Sequence, residues 1–257
     1  MKLGLWYVHK RVQGGESDFD DALNCRVDIY RHTSFYNGKD HPAKGEVGPE
    51  WSETSEALRQ ILERRIDDPS TAQLEEEGLA YLWPTLEGRL RRTPQVLPSL
   101  EERPYGCWRF DTRNSAIGIH IQNVYQPKSP LSELFIPFAA ALIGLLNDAC
   151  ATHPECGLVR CGSWLNSVPT FQALFPAEWT QSAVYRDLIG HSNGHWGQFI
   201  DRSGNFHDRN GARLRETGML PYASSVCECL IDDAVAHLEA TFPEALEYNN
   251  SRSPNQP

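Results

Sequence analysis

The densest run of side chains able to do chemistry is His191-Ser192-Asn193-Gly194-His195-Trp196-Gly197-Gln198-Phe199, followed by His207. Imidazole is the commonest metal ligand and the side chain best placed to move protons near neutral pH, so this run points either to general acid–base work or to a metal. His195 and His120 are the candidate general bases. His191, His195 and His207 are the candidate metal ligands. The spacing His-x3-His is not that of a zinc protease, because no Glu follows the first His and Gly194 interrupts any helix. A second donor set is Asp28-x3-His32 with His120, since two imidazoles and one carboxylate facing an open position suit non-haem iron. On a straight strand, however, Asp28 and His32 would lie about 13 Å apart at ~3.3 Å per residue, too far for one ion unless the chain bends.

Several chemistries are excluded by what is missing. No G-x-G-x-x-G and no G-x4-G-K-[ST] occurs, so a Rossmann cofactor site and P-loop phosphoryl transfer lose their usual phosphate cradle. Cys161-Gly162-Ser163-Trp164 lacks the second glycine of a nucleophile elbow, so Ser163 lines a pocket rather than attacking a substrate. Cys227-x-Cys229 has the wrong spacer for a zinc knuckle or a thioredoxin-like motif, and seven cysteines at irregular spacing read as reduced thiols. The chain carries a net charge of −10, and its densest basic stretch, Arg89 to Arg92, suits a helix C-terminus, so no nucleic-acid partner is expected. The first apolar run is too short for a signal peptide. Leu134 to Leu146 is too short and too interrupted to span a membrane, so it reads as a core helix. A cytoplasmic protein with a small-molecule substrate and no membrane partner is the expectation.

These residues need elements to position them. Leu3 to His9 and Arg26 to Tyr30 read as strands, and Asn37 to Pro49, with three Gly and two Pro, as a long surface loop of the kind that carries function. Ala57, Leu58, Ile61 and Leu62 predict an amphipathic helix from Trp51 to about Arg65. The capping-box pattern Ser70-Thr71-Ala72-Gln73 starts a second helix, through about Leu82. Leu97 to Pro104 is a proline-bounded connector. Beyond it, Tyr105 to Asp111 and Ala116 to Gln122 form a hairpin whose second strand sends Ile117, Ile119 and Ile121 to the core and His120 and Gln122 to the other face. A helix over Leu131 to Ala151 and a strand over Leu158 to Leu165 complete a strand–helix–strand unit with a parallel pair. Pro169 to Phe175 reads as a short helix, His195 to Ile200 with Asn205 to Asp208 as a second hairpin, and Val226 to Phe242 as the last helix.

The segments Ile117-Gly118-Ile119-His120-Ile121, Ser129-Pro130-Leu131, His153-Pro154-Glu155, Cys161-Gly162-Ser163-Trp164-Leu165 and Leu174-Phe175-Pro176 resemble the C-terminal region of the GNAT-like acyltransferase family. The likeness covers about 60 of the 257 residues. It implies a mixed sheet splayed near the end of the Ala116 to Gln122 strand, and an acyl-CoA cofactor seated between strand and helix with its pyrophosphate on helix N–H groups. The chain departs from the family's glycine-bearing loop: Asn123-Val124-Tyr125-Gln126-Pro127-Lys128-Ser129-Pro130 has two prolines and no glycine, which removes donors a phosphate would use.

The fold class expected is therefore α/β (α+β), a mixed sheet with flanking helices. It forms one domain over residues 1–247, with residues 1–100 as N-terminal strands and helical cover, 105–247 as a GNAT-like core and 248–257 as a disordered tail. Three functions compete. The first is a small-molecule acyl or group transferase with His120 or His195 as base and Gln122, Ser163, Trp164, Asn166, Trp196 and Gln198 binding substrate. The second is an enzyme whose divalent metal is held by histidines. The third is a non-catalytic module that packs a ligand on Trp164 and Trp196. His120, His195 and Gln198 are expected to face one pocket.

Overall fold

The computed structural model describes residues 1–68, 70–92 and 103–252, and its contacts divide the chain into two compact units. The first comprises Met1–Val96 with Leu188–Trp196, and the second Leu97–Asp187 with Gly197–Pro257.

The first unit is helical. Its helices are α1 (Lys2–Gln13), α2 (Pro49–Glu63) and α3 (Ala72–Arg92). The expected strand at Leu3 to His9 is instead the middle of α1, and every residue of it is buried. A short run that is apolar throughout has no period to separate a strand from a fully buried helix, which is why the sequence misleads there. Arg26 to Tyr30 is not a strand either. A π-helical turn over Asp21–Arg26 runs into extended Val27 and then a 3-10 turn over Tyr30–His32, so the alternation of Val27 and Ile29 against Asp28 reflects a bent segment. α2 follows its amphipathic pattern, burying Trp51, Leu58, Ile61 and Leu62, with Pro49 opening the first turn. α3 begins where the capping pattern places it, although Ser70 Oγ accepts from Ala72 N–H and Thr71 bonds Glu75, so Gln73 is not the partner. It continues past Leu82 to the arginines at its C-terminus, through Pro84.

The second unit is built on a five-stranded mixed sheet, with β1 (Trp108–Arg113), β2 (Ala116–Ile121), the long helix α4 (Phe135–Thr152) and β3 (Leu158–Ser163) in chain order. Asn114 and Ser115 both take positive φ, 50° and 56°, which is the backbone a tight β1–β2 hairpin turn requires. Two short helices, α5 (Pro169–Gln172) and α6 (Ala177–Gln181), lead to the two-residue edge strand β4 (Val184–Tyr185). The chain then contributes α7 (Asn193–Trp196) to the first unit. It returns through α8 (Asp208–Thr217), β5 (Ser225–Leu230), α9 (Ile231–Thr241) and α10 (Pro243–Arg252). The order is β1-β2-β3-β5-β4. β2 and β3 run parallel, as the strand–helix–strand reading requires, and the other pairs are antiparallel.

α4 is strongly apolar because a broad face of it lies in the core. Leu142, Leu145, Leu146, Ala139 and Ala140 are fully buried among Ile117, Val159, Cys227 and Leu238. Among the described residues it is the one helix long and apolar enough to cross a membrane. Three expectations change here. Val226 to Leu230 is strand β5, not helix, with alternate Cys227 and Cys229 buried. The hairpin at His195 to Asp208 reduces to a single bridge between Ile200 and Phe206, because α7 and a 3-10 turn over Gly197–Phe199 take up its first arm. The tail is helical to Arg252, with Asn249 Nδ2 donating to Ala140 O; residues 253–257 and the connector up to Glu102 lie outside the described residues.

Candidate metal centre

Three segments of the first unit converge on one spot. Asp28 comes from the bent stretch after the π-helical turn, His41 from the loop before α2, and His191 from the segment just before α7. One ligand atom from each lies within 4.8 Å of the other two. Metal–ligand bonds of about 2.0–2.2 Å put the donors of one ion roughly 3 to 4 Å apart, so a small contraction closes the set. Asp28 Oδ1, His41 Nε2 and His191 Nδ1 are all buried without a hydrogen-bond partner. The Asp28 side chain is 9% exposed and that of His41 2%.

Each donor is held in place by its own neighbours. Asn37 Oδ1 accepts from Lys39 N–H and Asp40 N–H, Gly38 supplies the positive φ of 90° that this turn needs, and Lys44 N–H closes the next turn on His41 O. His191 N–H donates to Cys25 O at 3.1 Å. Arg31 ties two of the donors together, because its Nη1 reaches Asp28 Oδ2 at 3.3 Å and His191 O at 3.3 Å. The His41 and His191 rings stack, with centroids 3.9 Å apart and planes at 17°. Burial, with His41 and the Arg31 charge beside it, lowers the His191 pKa to about 4, so its ring is neutral and able to ligate throughout the physiological range. Ala43 N–H donates to His41 Nδ1 at 3.2 Å, which places the proton of the free ring on Nε2. Ligation at Nε2 therefore moves that proton to Nδ1 and gives up the Ala43 bond. Pro42, next to His41, forms part of the wall of a cleft of about 440 Å³ that also includes Asn24, Trp51 and Arg59.

The other candidates lie outside this cluster. His195 is buried at 2% exposure in α7, within 3.4 Å of Ser192 Oγ, and belongs to the first unit. Trp196, also in the first unit, donates from Nε1 to Arg26 O at 2.8 Å and packs edge-on against Tyr7, which docks the Leu188–Trp196 segment. His120 and Gln198 belong to the second unit, so neither unit contains all three members of the expected shared pocket. His120 is exposed on the open sheet face, with Nε2 3.3 Å from Asp111 Oδ2. Gln198 clamps the Tyr222 backbone from both ends of its amide. His207 caps α8 by accepting from Asn210 N–H, which turns its Nδ1 to the helix end. Ser163 Oγ accepts from Leu165 N–H, Trp164 packs on Tyr222, and exposed Gln122 accepts from Arg103. The Asn166 amide is hydrogen-bonded within the fold: Nδ2 donates to Cys161 O and Ser225 O, and Oδ1 accepts from Trp179 Nε1–H.

His191 and Asp28 were thus visible in the sequence, but as members of different donor sets. His41 was not singled out. The available signal was a histidine inside the one long Gly/Pro-rich loop, where function concentrates. No protein-family model, no curated protein and no solved structure matches this chain.

Proposed function

We propose that the first unit is the metal-binding part of a divalent-cation-dependent enzyme acting on a small molecule, with Asp28, His41 and His191 as the ligands. The observation that carries this reading is the convergence, from three separate segments, of three buried donor atoms that make no hydrogen bond, with His41 Nε2 and Asp28 Oδ1 3.8 Å apart. Leaving a buried polar atom unpaired costs about 1–3 kcal/mol, and three at one point is a concentration that a cation relieves at once. Two imidazoles and one carboxylate suit zinc, iron or a similar divalent ion and leave coordination positions free, where such an ion polarises a substrate oxygen or lowers the pKa of water. Asp28 supplies the negative charge, Arg31 holds Asp28 and the His191 backbone in register, and His41 carries its proton on Nδ1 in the loaded form. Metal analysis of the purified protein tests this. Near-stoichiometric divalent transition metal is expected in the wild type and its loss in Asp28→Ala, His41→Ala and His191→Ala; equal content in wild type and variants would refute the assignment.

A second reading, acyl or group transfer in the second unit, is favoured by one observation. β2 and β3 pair only from Ala116–Leu158 to Gly118–Arg160, although both strands run on, so they part over Ile119–Ile121. This is the splay implied by the GNAT-like resemblance. In this reading His120 is the base, oriented by Asp111, whose carboxylate lies across the Cβ-free surface of Gly118. Calorimetric titration with acetyl-CoA checks it: saturable binding supports the reading, and no heat at millimolar ligand removes it.

A further inference from the structure

Two cationic side chains stand near the donor set, which bears on what else it can hold. Beside the His41 ring, the charges acting on His191 are those of Arg31, positive, Asp28, negative, and, most weakly, Lys44, positive. Lys44 is exposed, one turn beyond His41. Arg31 is only partly committed, since Nη1 makes both of its hydrogen bonds while Nε and Nη2 make none among the described residues, and its side chain is 30% exposed. A divalent cation added to this set, with one carboxylate against a guanidinium and an ammonium, leaves the centre strongly positive. An excess of that kind in a partly desolvated site attracts a compensating anion. The planar guanidinium edge presented by Nε and Nη2 matches two oxygens of a carboxylate or phosphate.

We infer that the ligand of this centre is a small oxyanion, carboxylate or phosphate, that meets the open side of the cation, with Arg31 and Lys44 as its anchors. This inference rests on the metal reading above and names the substrate class of the same site.

The experiment uses the full chain loaded with Co²⁺, whose visible spectrum reports its ligands, titrated separately with acetate and with inorganic phosphate. A saturable spectral change is expected with at least one of them, and the stronger of the two identifies the oxyanion. Lys44→Ala, at an exposed position, should keep Co²⁺ and weaken the anion by a few-fold. Arg31→Ala should weaken it by about tenfold or more, the loss expected for a charge-assisted hydrogen bond. Arg31→Lys, which keeps the charge without the planar edge, should fall between them. Failure to bind Co²⁺ would overturn the metal reading and this inference with it. Co²⁺ binding with a spectrum unmoved by either anion, or moved equally in wild type and variants, would overturn the inference alone.

Discussion

Two buried polar groupings, one in each unit, show opposite solutions to the same physical problem. In the second unit Asn166 is 4% exposed and its amide is fully used, spanning β3, β5 and α6. In the first unit buried His41 meets half-buried Asp28 and His191, and one buried donor atom of each makes no hydrogen bond. A buried polar group with all its partners rigidifies a scaffold, whereas one without them costs stability unless something outside the chain completes it. The contrast marks Asn166 as architecture and the trio as a site, although both appear in the sequence as polar residues among apolar ones.

The largest predicted effect follows from breaking the satisfied grouping. Asn166→Leu strands the Trp179 indole N–H and the carbonyls of Cys161 and Ser225, and should destabilise the second unit by at least about 3 kcal/mol in urea unfolding. His41→Phe removes the unsatisfied Nε2 and, with Nδ1, one hydrogen bond from Ala43 N–H, and keeps a ring between Tyr30 and His191. It should leave the metal-free protein within about 1 kcal/mol of wild type. If the two substitutions cost the same, the distinction between scaffold and site fails.

A smaller effect separates the groupings by pH. Burial lowers the His191 pKa to about 4 and also lowers that of His32. Both rings bind protons more readily in the unfolded chain, where the usual value is about 6.5. Their contribution to stability is therefore full above pH ~6.5 and is lost as pH falls towards the folded values. Metal-free protein should lose stability between roughly pH 6.5 and 4, and His191→Asn should flatten that slope; an unchanged slope would contradict the assigned cause. The smallest effect is chemical. Burial pushes the Cys161 and Cys229 thiols up to about 12, so at neutral pH both should resist alkylation of the native protein, while half-buried Cys25 and Cys150 label first.

The first three strands of the sheet and α4 were legible in the sequence and the metal centre was not, for a physical reason. The β1–β2 hairpin, the face assignment of Ile117, Ile119 and His120, the parallel pair across α4 and the short helix at Pro169 are local patterns with a clear period or turn chemistry. The Leu3–His9 stretch of α1 has no period because every residue of it is buried. The segment after Arg26 changes conformation every few residues, so its alternation imitates a strand. The metal centre depends on that bend and on a return of the chain from Leu188 to Trp196, held by Trp196 on Arg26 O and His191 on Cys25 O. Contacts separated by more than a hundred residues leave no spacing to read. Hence Asp28 could be seen only with His32, at a spacing that needs a bend, His191 could be seen without its partners, and His41 was missed.

The central claim is that the trio is incomplete without a cation, and the direct measurement is the unfolding free energy of demetallated protein with and without Zn²⁺. At free Zn²⁺ a hundredfold above the dissociation constant, wild type should gain about 2.7 kcal/mol, and His41→Phe, folded but one ligand short, should gain little or nothing at the same concentration. No gain in wild type, or an equal gain in both proteins, would contradict the account.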